Sequence, residues 1–286
     1  MKPLNVYFDT NALLDLIHPE ARSVDYRHPG AIRKAVRKGK VRVHVSIFNI
    51  EEILPRLCKE PEQVRYELAF LADISERTWF IKQPSELVIQ AVKSCVLGCP
   101  TESTIESAEQ IWSRLESDLN PRRPCEAIYL FGAQRDTRVM TERFRANMAE
   151  YASGFREYCR VDLGGDDPRS KPPPFEEAWF TLTGSFARDL VKGAGITREI
   201  DDSEVKILLE NKCIRLAAGD LAARTYAGFF QGHTPKEGDS RDNLHAISAS
   251  AADIFVTGDG RFRDYLAQIP SLPIEVLDLA GLIARL

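Results

Sequence analysis

Five short apolar runs, LNVYF, VRVHVS, WFIK, DIFV and IEVLD, each about the length of one strand, stand in two groups toward the two ends of the chain. Residues with the apolar spacing of a helix follow most of them: ALLDLI after the first, IFNIEEILPRLC after the second and GRFRDYLAQI after the fourth. Strands separated by helices cannot pair as hairpins, so each return requires a crossover, and crossovers place helices over the faces of a parallel sheet. The expectation is an α/β fold of three layers, α/β/α, around a central parallel sheet.

That rhythm stops between the two groups. From Pro84 to Gln231 the chain reads mostly as amphipathic helices (SELVIQAVKSCV, SAEQIWSRLESDL, VMTERFRANMAEYASGFREYC and DSEVKILLENKCIRLAAGDLAARTYAGFF), broken by GGDDPRSKPPPFEE, whose glycines, charges and prolines mark a connection. One α/β core made of residues 1–83 and 232–286, split by a helical insertion at 84–231, explains this better than two domains in series. A chain of 286 residues that is 44% hydrophobic is long enough to bury a large core. No apolar run approaches the ~20 residues of a membrane span, so no membrane association is expected. The chain opens on MKPLNVYFD without a secretion signal, and six scattered cysteines read as free thiols of a reducing compartment, so a cytoplasmic protein is expected.

Four acids carry the chemistry. Asp9 directly follows LNVYF, Glu52 follows VHVSIFNIE, Asp242 opens the helix after GDSR, and Asp259 ends DIFVTGD. In an open parallel sheet, groups at the carboxyl ends of strands collect on one edge, near the point where strand order reverses. Several carboxylates gathered there repel one another unless a cation joins them, which points to a divalent metal. Each acid also has a plainer reading. Asp9 suits a helix cap, Asp242 a favourable first-turn charge, Glu52 a solvated helix face, and Asp259 in TGDGR a tight turn.

Order and spacing together resemble the PIN-domain nucleases. FDTNALL is similar to the family's D-[TAS]-[NS] after its first strand. Ser46, Asn49 and Glu52 fit S-x-x-[TN]-x-x-E, and Asp242, Ala246 and Ala249 fit D-x-x-x-A-x-x-A. Val256, Thr257, Asp259 and Phe262 fit [VI]-T-x-D-x-x-F, seventeen residues after Asp242. The resemblance covers residues 1–83 and 232–286; the long helical segment departs from compact members. It implies a PIN-like fold and a metal-dependent endoribonuclease, with Asp9, Glu52, Asp242 and Asp259 holding Mg2+ or Mn2+. Asn11 and Thr257 would orient ligands or a scissile phosphate, with Glu51 and Asp239 as supporting acids. RNA is the implied substrate, DNA stays open, and a silent scaffold or nucleic-acid-binding protein is the rival.

With a net charge of -4, any nucleic-acid partner must be met by a local basic surface. Arg33, Lys34, Arg37 and Lys38, with Lys40 and Arg42, form one dense group. Arg135, Arg138, Arg143 and Arg145 form another, with Arg122 and Arg123 nearby. A phosphate track and a solvated helix face are the two readings of either. Phe144, Tyr151, Phe155 and Tyr158 recur at helical spacing as expected core rather than base-stacking platforms. The insertion is also the expected place for a homodimer contact, a protein partner or a lid.

Overall fold

A computed structural model describes residues 2–20, 25, 27–57, 59–106, 108–118, 137–161, 173–233, 236 and 238–286. Cys58, Arg122, Arg123, Cys125, Arg135 and the glycine- and proline-rich stretch 164–172 lie outside the described residues, as do the side chains of Arg138 and Arg143. The first strand, β1 (Leu4–Phe8), leads into α1 (Thr10–Ile17) and α2 (His28–Arg37). β2 (Val41–Ser46) leads into α3 (Ile47–Ile53) and α4 (Pro61–Ile74), and then comes β3 (Phe80–Ile81). Next are α5 (Pro84–Leu97), β4 (Ile105–Glu106), α6 (Glu109–Asp118), α7 (Thr137–Val161), α8 (Phe175–Gly193), α9 (Asp202–Glu210) and α10 (Lys212–Gln231). The chain closes with α11 (Asp239–Ala249), β5 (Ile254–Val256), α12 (Gly260–Ala267), β6 (Glu275–Leu277) and α13 (Leu279–Arg285).

The six strands form one sheet in the order β4-β3-β2-β1-β5-β6. All neighbours run parallel except β3 and β4, which pair antiparallel through Phe80–Glu106 and Ile81–Ile105. The sheet is therefore mixed rather than wholly parallel. β4 is a two-residue edge strand inside the segment read as helical, too short to leave a period-two pattern.

Side-chain alternation along the strands assigns the two faces. Val6, Phe8, Val43, Val45, Phe80, Ile254 and Val256 pack with apolar residues of α1, α2, α3, α4, α6 and α13. Tyr7, Ile81 and Phe255 point the other way and pack with α5, α7, α8, α9, α10, α11 and α12. Strand order grows in one direction from β1 through β2 to β3 and in the other through β5 to β6. Right-handed crossovers consequently place α1–α4 on one face and α12 on the other.

The described helices between residues 84 and 231 therefore build most of one layer, and among them only α6 crosses to the opposite face. At its centre lies α10, buried nearly all round and packed by α5, α7, α8, α9, α11 and α12. That surround explains its lack of an amphipathic stripe. Asn211 separates α9 from α10: its side-chain oxygen accepts from the amides of Cys213 at 2.9 Å and Ile214 at 3.4 Å. The apparently continuous run DSEVKILLENKCIRL is thus two helices. Among the described residues, no helix is long and apolar enough to cross a membrane.

A candidate acidic site at the carboxyl edge of the sheet

β1, β2 and β5 end level with one another, with Tyr7 opposite His44 and Phe8 opposite Val256. The residues that follow emerge on one edge, at the reversal of strand order between β1 and β5, where open α/β sheets form their crevice. Asp9 leaves β1 and is 5% exposed. Its Oδ1 accepts from the amide of Ala12 at 2.6 Å, so it does cap α1, while Oδ2 accepts from the Thr257 hydroxyl. Burial raises the Asp9 carboxyl; His245, Thr257 and the Ala12 amide oppose that rise, and Glu52 adds to it.

Thr257, fully buried after β5, also accepts the amide of Asp259 at 3.1 Å. Asp259 is exposed and caps α12 through the Phe262 amide at 3.0 Å. Asn49 draws the ends of β1 and β2 together. Its Oδ1 accepts from the Ser46 amide at 3.0 Å, and its Nδ2 donates to the Phe8 carbonyl at 3.1 Å. This places α3 so that Glu52 faces the same crevice.

Glu52 and Asp242 are each held by a basic side chain. His245, one turn beyond Asp242 on α11 and 3% exposed, lies with Nε2 3.1 Å from Glu52 Oε2 and Nδ1 2.6 Å from the Tyr7 hydroxyl. That hydroxyl is 2.8 Å from Ser46 Oγ. Burial would raise the Glu52 carboxyl, but His245, Thr10 and Arg241 outweigh it and hold it at about 2. Burial would lower His245, but Glu52, Asp9 and Asp242 raise it instead.

Arg224 of α10 is the second cation. It is 5% exposed and pairs with Asp220 at 2.9 Å, Asp239 at 2.8 Å and Asp242 at 3.2 Å. Burial and the neighbouring Asp220 and Asp259 carry the Asp242 carboxyl up to about 7 against the opposing pull of Arg224 and His245. A Cβ added at Gly258 would come within 3.3 Å of Asp15 Oδ2, so a further acid lies against the loop that carries Asp259.

The structure thus brings Asp9, Glu52, Asp242 and Asp259 to one edge, with Asp239 and Thr257 bonded into the same network. Asn11 is exposed in the first turn of α1, and Glu51 is half-buried beside Glu52. Arg33, Lys34, Arg37 and Lys38 are not brought to the acids. They sit near the end of α2 that leads into β2, at the opposite edge, one six-residue strand or roughly 20 Å away. There Arg33 pairs with Asp73 at 2.8 Å and lies 4.6 Å above the Phe70 ring.

His245, Arg224 and Asp220 were not singled out from the sequence. Their signals were spacings within one helix, Asp220 to Arg224 at i,i+4 and Asp242 to His245 at i,i+3. Carboxylates gathered at one edge call for cations among them, and the chain itself supplies His245, Arg224 and Arg241, the last with Nη1 3.5 Å from Glu52 Oε1. Among the described residues, no group of three or more His, Cys, Asp or Glu side chains is gathered as a metal-binding set. The reason is local: Asp9 is engaged by Ala12 and Thr257, Glu52 by His245, and Asp242 by Arg224. Compared with protein-family models, with curated proteins and with solved structures, the chain gives no match.

Proposed function

We propose that the chain is a phosphodiesterase dependent on a divalent cation, an endoribonuclease of PIN-like fold. The observation that carries this reading is the meeting of Asp9, Glu52, Asp242 and Asp259, from four separate segments, at the crevice between β1 and β5. Support for a phosphate substrate comes from α1, α11 and α12, which all begin at this edge and aim the positive ends of their dipoles toward it.

The donor chemistry fits Mg2+ or Mn2+. Every candidate ligand is a carboxylate oxygen, and burial, with further acids nearby, raises the Asp9 and Asp242 carboxyls, so a bound cation would favour their ionised forms. Asp9, Asp242 and Asp259 would hold the ion, with Glu52 at its margin. When bound, it would polarise the scissile phosphate and ease removal of a proton from water. The remaining work falls to the protein. Thr257 and the Ala12 amide fix both oxygens of Asp9. His245, set between Tyr7 and Glu52, keeps Glu52 ionised and oriented, so Glu52 can align the attacking water by accepting a hydrogen bond from it. Arg224 anchors Asp239 and Asp242 against mutual repulsion.

Purified protein with Mn2+ is expected to cut labelled single-stranded RNA, to stop in EDTA, and to lose at least ~100-fold in rate in Asp9→Asn. Cleavage by a folded Asp9→Asn at the wild-type rate would overturn the assignment. Double-stranded RNA and single-stranded DNA are the comparison substrates. The second reading is a nucleic-acid-binding scaffold without turnover. It is favoured by Arg224 and His245, which already neutralise part of the acid cluster. Calorimetric titration with Mn2+ separates the two: the nuclease binds the ion in an Asp9-dependent manner, whereas the scaffold has no such requirement.

A further inference from the structure

A cavity of about 430 Å³ opens between α7 and α10, and Arg224, which contacts the acid cluster, forms part of its wall. On the α7 side, Arg145, Ala149, Ala152 and Arg156 fall at i, i+4, i+7 and i+11, one face of the helix. The two arginines stand about 16 Å apart along the axis, with Met148, Ala149 and Ala152 between them, and Arg156 lies 5.3 Å over the Phe229 ring. On the α10 side, Gly228 lets the backbone of His233 approach closely, since a Cβ there would meet the His233 carbonyl at 3.2 Å. His233 closes one end and is 3.2 Å from the Tyr265 hydroxyl, whose ring lies beneath Arg224 at 4.7 Å.

We infer that this trough binds the backbone phosphates of one nucleic-acid strand, with Arg145 and Arg156 as the phosphate contacts, and leads that strand to the acid cluster. The inference rests on the nuclease reading for its direction, but its binding claim stands apart from turnover. Three features select the ligand. The cations are arginines, whose planar fork matches a phosphate. Their separation brackets a run of successive phosphates. The cavity is in the range of small-ligand clefts, so it admits a single strand rather than a duplex. The acids beside Arg224 mark the reacting end, where a bare polyanion would be repelled, so the strand is held through the arginines at the rim.

The test is binding of fluorescein-labelled 12-nucleotide oligo-U and oligo-dT to the full chain in EDTA, read by anisotropy across a salt series. Arg145→Glu/Arg156→Glu is expected to weaken binding at least tenfold and to flatten the slope of log K against log salt by about 1.4, two contacts at ~0.7 each. Ala149→Trp, which fills the trough without changing charge, is expected to weaken binding by a similar factor. Arg33→Glu/Arg37→Glu, at the opposite edge, is expected to stay within twofold. Preference between oligo-U and oligo-dT reports the sugar. Unchanged affinity and slope in the first two variants overturn the trough, as does absence of oligonucleotide binding by the wild type. So does displacement by polyglutamate at equal charge, which would point to an acidic protein partner. Trough-dependent binding without Mn2+-dependent cleavage sinks the nuclease reading alone; cleavage by the double variant with unchanged KM and kcat sinks the trough alone.

Discussion

The two carboxylate oxygens of Asp9 face different partners, the Ala12 amide and the Thr257 hydroxyl, so the cap role and the cluster role coexist in one side chain. The cap was readable from FDTN; the tie to Thr257 spans 248 positions and was not. Thr257→Val removes a fully buried hydroxyl that both donates and accepts. It is expected to cost about 2 kcal/mol by urea unfolding. The pair of Glu52 and His245 gives stability a bell-shaped pH dependence. Glu52 is held low, so its contribution is present above the ordinary carboxyl value of about 4.3 and is lost as pH falls toward about 2. His245 is raised, so its contribution is complete below about 6.5 and is lost as pH rises through the folded value. Glu52→Gln is expected to cost roughly 3 kcal/mol at neutral pH, to make the acid limb of Tm against pH shallower, and to move the alkaline limb downward. A variant curve parallel to the wild type would refute this pairing.

At the scale of elements, α10 is the helix whose failure would propagate furthest. Asp220 and Arg224 are one turn apart on its buried face, and Asn243 of α11 donates to Asp220 at 2.9 Å. Arg224→Met would leave Asp220, Asp239 and Asp242 without their countercharge, an expected loss of 3–5 kcal/mol by thermal or urea unfolding, of the order found for broken buried pairs. Arg224→Lys is expected to recover only part, because a point charge cannot serve three carboxylates as a guanidinium fork does. Gly219 marks the close approach of the same helix to its neighbours: an added Cβ would lie 2.9 Å from Ile269 and 3.0 Å from Trp179. Gly219→Val is therefore expected to destabilise by about 2 kcal/mol through overpacking. The amphipathic stretches between residues 84 and 231 are helical where they are described, apart from Ala108 before α6 and Asn211 between α9 and α10. The break at Asn211 and the strand β4 were hidden, because one rests on a single cap and the other on pairing with a distant strand.

Across the whole molecule, the insertion and the sheet share one apolar core. Tyr7, Ile81, Phe255 and Leu266 are all fully buried against helices from the insertion or beside them. Uncovering them would forfeit about 2 kcal/mol each, about 8 kcal/mol together, comparable with the whole stability of a domain. A chain in which residues 83 and 232 are joined directly is thus expected to show no cooperative unfolding transition and to aggregate. A sharp transition from that shortened chain would show the core to be independent. The same layering separates the densest basic group from the acids: Arg33 to Lys38 are close in sequence, and α2 carries them to the opposite edge.

Strand-sized runs, most with helical spacing after them, determined the α/β class, the strands β1, β2, β3, β5 and β6, and the four acids that follow strands or open helices. Those are local properties, set by side-chain period and by which residues can cap a helix. Tertiary structure alone decided that the sheet ends in an antiparallel strand, that the 84–231 helices cover a face of it, and that Arg224 and His245 stand among the carboxylates. Each depends on segments far apart in the chain being packed together, and charge compensation depends on distance in space, which residue order does not encode.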